Sequence, residues 1–406
     1  MMGMSENGQG PMRVLIAGGG VAALEAMIAL RALAEERVDI TLLAPDRDFF
    51  YRPLAVAEPF GVGQVQRFDL AALAQGCGAR HQLGSLVAVY PDERWVRTSR
   101  NVRYDYDALL IAIGARKRDA FPGALTFRGS IDNDEIRWLL SDVEAGLAKR
   151  VVFALPAGVS WALPLYELAL LTADHLAHAG CGRPHLEIVT PEHAPLALFG
   201  QDASQAVGAL LSDRGISVRT ATSPREFDLG QLRICPGGPL AADRVVSVPR
   251  LHGVEVAGIP RDENSFIPTD AHGRVAGLPG VYAAGDITTF SVKQGGIASQ
   301  QADAAAECIA AAAGAPVTPR PFEPVLRGLL LTGSVPLYAR VDLSGGHGDT
   351  SKADSDALWW PASKIAARYL GPYLAEFAGL VLPHTPLLRP RSSPPPAHSE
   401  RAPRAC

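Results

Sequence analysis

The stretch RVLIAGGGVAALEA (13–26) joins an apolar run to a glycine turn and then to a helical pattern. Val14 to Ala17 are short and apolar, as in a strand buried within a sheet. Leu24, Ile28 and Leu33 recur at helical spacing beyond the glycines. VDITLLA (38–44) is a second apolar run. Strand, turn, helix and strand in that order open a doubly wound α/β sheet. In the pattern G-x-G-x-x-A, Gly18 allows a tight turn and Gly20 lets the backbone approach a pyrophosphate. Ala23 lets helix and strand pack closely, and Gly19 and Ala22 complete the turn. Phosphates would then sit on a helix N-terminus, where free N–H groups and the dipole favour anions. An acid is expected at the end of the second strand. That place reads Ala44-Pro45-Asp46, so Asp46 either bonds an adenosine ribose or closes a turn after proline.

Two further apolar runs end in glycine, YDALLIAIG (106–114) and GVYAAGD (280–286), and are expected in the same sheet. They bring Ala112, Gly114 and Gly285 to strand ends near the ligand. Asp286 follows a small-residue strand end, where a carboxylate accepts a hydrogen bond from a ribityl hydroxyl. FAD carries a ribityl chain and NAD does not. Between these runs lies a second α/β block. Its strands are RVVFALP (150–156), HLEIVTP (185–191) and ISVRT (216–220), with helices over 162–179 and 202–214. The predicted architecture is α/β with two Rossmann-like domains, the second inserted in the first. The FAD-binding domain covers 12–122 and 265–316, and the second, NAD(P)-type domain covers 123–264. A proline cluster leads into a small C-terminal domain over 317–388. Residues 1–11 and 389–406 read as disordered tails.

Composition narrows the function. The net charge of −4 shows no basic excess, which argues against nucleic-acid binding. The five cysteines, Cys77, Cys181, Cys235, Cys308 and Cys406, are scattered and form no C-x-x-C pair. That speaks against a disulfide framework or cysteine metal site and fits a reducing cytoplasm. The ten histidines show no metal-ligand spacing, so no metal is expected. MMGMSENGQGPM (1–12) lacks the apolar core of a signal peptide. No apolar run is long enough to suggest a transmembrane helix.

With its N-terminal fingerprint, YDALLIAIGA and GVYAAGD, the chain resembles the pyridine nucleotide-disulfide oxidoreductase superfamily. Within it, the chain is most similar to the sulfide:quinone oxidoreductase and type II NADH dehydrogenase branch, over about residues 12–385. The resemblance implies non-covalent FAD at the first glycine turn. It places Lys293, Gln294, Gly295, Gly296 and Ile297 where a helix N-terminus meets the flavin pyrimidine edge and stabilises the reduced, anionic flavin. Read alone, these residues are a glycine-rich helix start. The resemblance also lays Arg52 and Pro53 of FFYRPLAVAEPFG (49–61) along the flavin; alone, they are a packing loop. It matches Glu167 to a glutamate near the flavin that shuttles protons; alone, Glu167 is a solvated helix residue.

The resemblance breaks at VVFALPAGVSWALPLYELAL (151–170). Sulfide:quinone oxidoreductases carry Ser-Cys-x-Gly-Pro-x-Tyr-Glu there, and this chain reads from Ser160 through Trp161 and Pro164 to Tyr166-Glu167. Trp161 stands on the redox cysteine, and indole forms neither persulfide nor disulfide. The only cysteines after Asp286 are Cys308 and Cys406, so a cysteine-pair mechanism is not expected. Type II NADH dehydrogenases carry a full glycine fingerprint at this turn. Here it reads Ala154, Pro156 and Gly158, and Pro156 has no N–H for a phosphate. The expected function is electron transfer through FAD from an unidentified small-molecule donor to a quinone-like acceptor. Two alternatives stay open: an NAD(P)H dehydrogenase or reductase with a degenerate second site, and a flavin-binding redox sensor without turnover.

ALWWPASKIAARYLGPYLAEFAGLVL (357–382) sets Ile365, Tyr369, Leu370, Tyr373, Leu374 and Phe377 near one helical face, flanked by Lys364 and Arg368. It reads as an interfacial helix giving peripheral contact with the inner face of a membrane, or as a packing helix. A homodimer is a further open expectation.

Overall fold

The computed structural model describes residues 10–180, 182, 184–344 and 350–378. Cys181, Cys406, the expected C-terminal tail and most of the N-terminal one lie outside the described residues.

The first sheet is parallel throughout, in the order Val281–Ala283, Ala108–Ile111, Met12–Ala17, Val38–Ala44, Arg80–Leu83. Met12–Ala17 is paired on both sides, and both of its faces are covered. Val14 and Ile16 pack with helices Val21–Ala34 and Gly295–Ala312. Leu15 and Ala17 pack beneath the antiparallel sheet Leu86–Tyr90, Trp95–Thr98, Arg103–Asp105. The fingerprint helix is more deeply buried than its predicted periodicity suggests. Ala22, Ala23, Ala26 and Ala29 are buried as well as Leu24, while Ile28 is only half-buried. The reason is its partner, whose Ala298, Ala302, Ala305 and Ala306 fall in the same core. Small side chains on both helices let the backbones come close.

The second sheet repeats the pattern, all parallel: Leu125–Thr126, Arg244–Ser247, Arg150–Ala154, His185–Val189, Ile216–Arg219. Helices Asn133–Glu144, Leu163–His178 and Gln201–Asp213 cover one face, and antiparallel strands Ser223–Asp228 and Gln231–Cys235 lie toward the other. The helices expected over 162–179 and 202–214 form within a residue of those bounds. All strands of this sheet precede Val281–Ala283 in the chain, so the second unit is inserted in the first, as expected.

A third, antiparallel sheet, Val325–Leu330, Leu337–Asp342 and Lys352–Asp354, wedges between the two units. Leu329 and Tyr338 enter the first core, while Leu326, Leu330, Ala339 and Val341 enter the second.

Of the interrupted helical pattern over 357–382, the described residues form a helix only at Leu370–Ala378. Pro361 has no N–H to give, and Gly371-Pro372 allows a helix only if proline falls in its first turn. The chain therefore runs irregularly to Tyr369, and the helix is Leu370–Ala378. Ile365, Leu370 and Leu374 are buried in the first core instead of lining an outer face, and Lys364 is buried too. Trp360 remains exposed. No helix among the described residues is long and apolar enough to cross a membrane.

The fully buried Glu25 holds this segment down. Its carboxylate accepts from the backbone N–H of Tyr369 at 2.8 Å and of Leu370 at 2.6 Å, capping the short helix. Asp303 of the facing helix lies beside it, and burial with the Glu25 charge pushes Asp303 up to about 8. Glu307 raises it further and Arg368 lowers it. The folded state thus keeps a proton on Asp303 that an unfolded carboxyl releases near pH 4, so stability falls as pH rises from about 4 to about 8. Asp303→Asn should flatten that fall. Chemical denaturation at pH 5 and pH 8 should show the variant gaining on the parent as pH rises.

Candidate functional site

A cleft of about 1080 Å³ opens where the strand ends of the first sheet meet the second unit and the C-terminal sheet. The first glycine turn forms its floor. Gly18 has φ +134°, and a side chain there would place Cβ 2.1 Å from the Ala112 carbonyl oxygen. Only glycine permits the strand ends at Ala17 and Ala112 to sit this close. Around Gly20 the space is open, and no side chain caps the helix that begins at Val21. Its first N–H groups are left for an anion in the cleft.

Of the sequence-derived residues, Gly18, Gly19, Gly20, Ala22, Asp46, Arg52, Pro53, Ala112, Gly114, Glu167, Gly285, Asp286, Lys293 and Gly295 all line this cleft. Asp46 is exposed at the end of Val38–Ala44. Ala23, Gly296 and Ile297 do not line it. Ala23 is fully buried between helix and sheet, the packing role that its small size suggests. Ile297 is turned into the second core. Gln294 caps the helix Gly295–Ala312 by accepting from the Ile297 N–H at 2.9 Å.

Asp286, beyond the strand Val281–Ala283, lines the same cleft as the start of that helix. No hydrogen bond from the described residues reaches its carboxylate. Burial pushes its pKa up, against the pull of Lys293 and Lys117. Gln301 accepts from the Gly285 N–H at 2.7 Å and, with Thr288, fixes this turn. Gly285 passes between the two helices, since a Cβ there would lie 3.2 Å from that of Ala22. Lys293 lies 3.9 Å from the Phe266 ring and donates to the Thr288 carbonyl. Burial lowers its pKa to about 8.

Glu167 is not the solvated residue that a helix position allows. It is buried, and its Oε1 accepts from Lys364 Nζ at 2.5 Å and from the Leu331 N–H at 2.8 Å. Its Oε2 is buried without a partner. Burial pushes Glu167 up and Lys364 down, each opposed by the other's charge. Lys364 was missed as a site residue in the sequence, where it reads as the flank of an outer helix. Gln301 and Thr288 carried no local signal either.

The second turn is built differently. Trp161 lines the cleft and tilts against Phe199 at 5.8 Å. Eight residues, 155–162, separate the strand end from the helix Leu163–His178. Beyond the second strand of this unit, Glu192 occupies the region where an acid would bond a ribose. Its Oε2 accepts from Tyr166 Oη at 2.7 Å and Thr190 Oγ1 at 2.9 Å, and burial raises its pKa. Cys77 and Cys308 are buried and Cys235 is exposed, all three free.

Residues 12–302 match the pyridine nucleotide-disulphide oxidoreductase family. The chain belongs to that family. It is thereby an FAD-dependent oxidoreductase, and the uncapped helix start, the open side of Gly20 and the unengaged Asp286 fit the cofactor. An NADH dehydrogenase-like protein of Mycobacterium tuberculosis is 26% identical over 298 residues, 68% of this chain and 72% of that one. The fold matches the sulfide:quinone oxidoreductase of Aquifex aeolicus with a TM-score of 0.75 at 18% identity, over 91% of this chain and 96% of the other. A ferredoxin reductase of Rhodopseudomonas palustris matches at 0.63 and 21% identity, over 83% and 84%.

Removing one partner of a buried ion pair strands the other charge, at a cost of roughly 3–5 kcal/mol. Lys364→Met should therefore destabilise strongly, and Glu167→Gln in the same chain should recover most of the loss. Urea unfolding of the two singles and the double gives the coupling directly.

Proposed function

We propose that this flavoprotein passes electrons through non-covalent FAD to a quinone. The cofactor would lie from the Gly18–Gly20 turn to the Gly295 helix start, with Asp286 on its ribityl chain and Asp46, Arg52, Pro53, Ala112 and Gly114 along it. Bound FAD supplies the two-electron relay. The observation that carries the reading is the buried Lys364–Glu167 pair on a largely apolar wall of the same cleft, with Trp161, Leu163, Phe290, Leu329 and Ile365. A quinone taking two electrons also takes two protons. Lys364 Nζ holds a transferable proton beside the unpartnered Glu167 Oε2, and the apolar wall suits a flat ring. Trp360 is the exposed side chain we assign to contact with a lipid surface, should the quinone reside in one.

The donor, on this reading, is not a nicotinamide held at the second turn. Tyr166 and Thr190 engage Oε2 of Glu192, Pro156 offers no N–H, and Trp161 lines the cleft beside this turn. An NAD(P)H-dependent reading is supported by the family's own pyridine-nucleotide description and by the name of the M. tuberculosis relative.

Anaerobic titration of the FAD-loaded protein decides between them. NADH and NADPH should leave the flavin absorbance unchanged, dithionite should bleach it, and a short-chain quinone should restore it with quinol formed. Rapid bleaching by either nicotinamide would overturn the donor assignment. Failure of the quinone to restore the colour would overturn the acceptor.

A further inference from the structure

Away from the cleft, the C-terminal sheet carries an arrangement that the electron-transfer reading does not use. Arg327 pairs with Arg340 across Val325–Leu330 and Leu337–Asp342, and Arg340 pairs with Lys352 on the third strand. Residues directly opposite share a face, with Cβ atoms about 5 Å apart, and like charges in such pairs are destabilising. Three cations thus stand in a row across the sheet. Arg327 and Arg340 are half-buried, and Lys352 is exposed at the open edge. Burial and the Arg340 charge both depress Arg327.

Among the described residues, no acid is paired with these cations. None of the three side chains has a hydrogen bond or ion pair with the described residues. The acids on the same face are Asp342 and Asp354, at diagonal positions, and each is spent on a turn. Asp342 accepts from the Ser344 N–H at 2.9 Å, and Asp354 from the Asp356 N–H at 3.0 Å. Other arginines are paired, as Arg320 and Arg368 are with Glu307, and arginine faces arginine also at Arg97–Arg103 and Arg118–Arg250; among the described residues, only here does a third cation extend the row.

We propose that Arg327, Arg340 and Lys352 form a binding site for a phosphate-bearing anion. Arginine presents parallel N–H donors that match phosphate oxygens, and lysine adds a mobile point charge. A row of three cations selects a multiply charged ligand, because a single carboxylate neutralises only one. The site reaches the cleft by a short route. The Arg327 carbonyl accepts from Gln294 Nε2 at 3.2 Å, and Gln294 caps the helix whose start lines the cleft. Leu329, two residues along the same face, lines the cleft itself. The inference does not depend on the identity of donor or acceptor.

The test uses the FAD-loaded full chain, so that the cofactor's own phosphate site is filled. Inorganic phosphate and pyrophosphate are titrated at ionic strength matched with sodium chloride, following heat release and the unfolding midpoint. Saturable binding and a raised midpoint are expected, with affinity falling about tenfold in Arg340→Gln through loss of a charged hydrogen bond. The ligand-free Arg340→Gln protein should unfold at a higher temperature than the parent, because the repulsion is relieved; a purely structural arginine would give the reverse. Vesicles of zwitterionic lipid with and without phosphatidic acid separate the sources. Free phosphate binding assigns a soluble ligand. Binding to the acidic vesicles alone, lost in Arg340→Gln, assigns a headgroup. The absence of both, or binding that Arg340→Gln leaves unchanged, overturns the proposal.

Discussion

Two helices aim their N-termini into one cleft because the sides they turn to each other are rich in alanine. Val21–Ala34 and Gly295–Ala312 meet through Ala22, Ala26, Ala298, Ala302 and Ala305. Gly285 threads between them with no room for a larger residue. Larger side chains would push the axes apart and carry one helix start away from the other. A dinucleotide long enough to span two anion-favouring helix ends needs them fixed at a set separation. The alanine content that reads as bland composition is therefore a geometric specification.

The cleft is closed by chain that has little regular structure of its own. The segment before Leu370 is held by buried charge: Glu25 caps the helix it leads into, and Lys364 reaches Glu167. The Tyr51 hydroxyl also accepts from the Ile365 N–H at 3.0 Å. Such contacts give less net stability than apolar burial would, because each charge loses its hydration. They do fix register, since a one-residue shift would leave a carboxylate or an ammonium buried alone. Placement of Lys364 and Ile365 at the cleft follows from that penalty.

What was legible in the sequence follows the range of the interaction. The Gly18 turn, the strands around it and the insertion of the second unit rest on local rules, and each formed where expected. Asp286 was legible because a strand end and a helix start bracket it within a few residues. Lys364 was not, since its partner lies 197 residues away and nothing beside it marks the pairing. The stretch 357–382 misled for a different reason. Its helical spacing is real, but Pro361 and Gly371-Pro372 confine the helix to its last part, and burial against the first core then claims the apolar residues. Tyr166 likewise reads as one more apolar helix position until the fold brings Glu192 to its hydroxyl.

The two sheets carry the same layers but differ at the turns that meet the cleft. In the first, every feature leaves polar groups free: an uncapped helix, an open glycine, an unengaged aspartate. In the second, the helix start is likewise uncapped and Gly158 likewise has open space around it, but three side-chain features differ. Pro156 has no N–H, Glu192 Oε2 accepts from Tyr166 and Thr190, and Trp161 lines the cleft. A polar group left free in a cleft awaits a ligand, whereas one satisfied internally must break its bonds before it can bind one. The repeat thus has a scaffold role, walling the cleft and presenting Glu167.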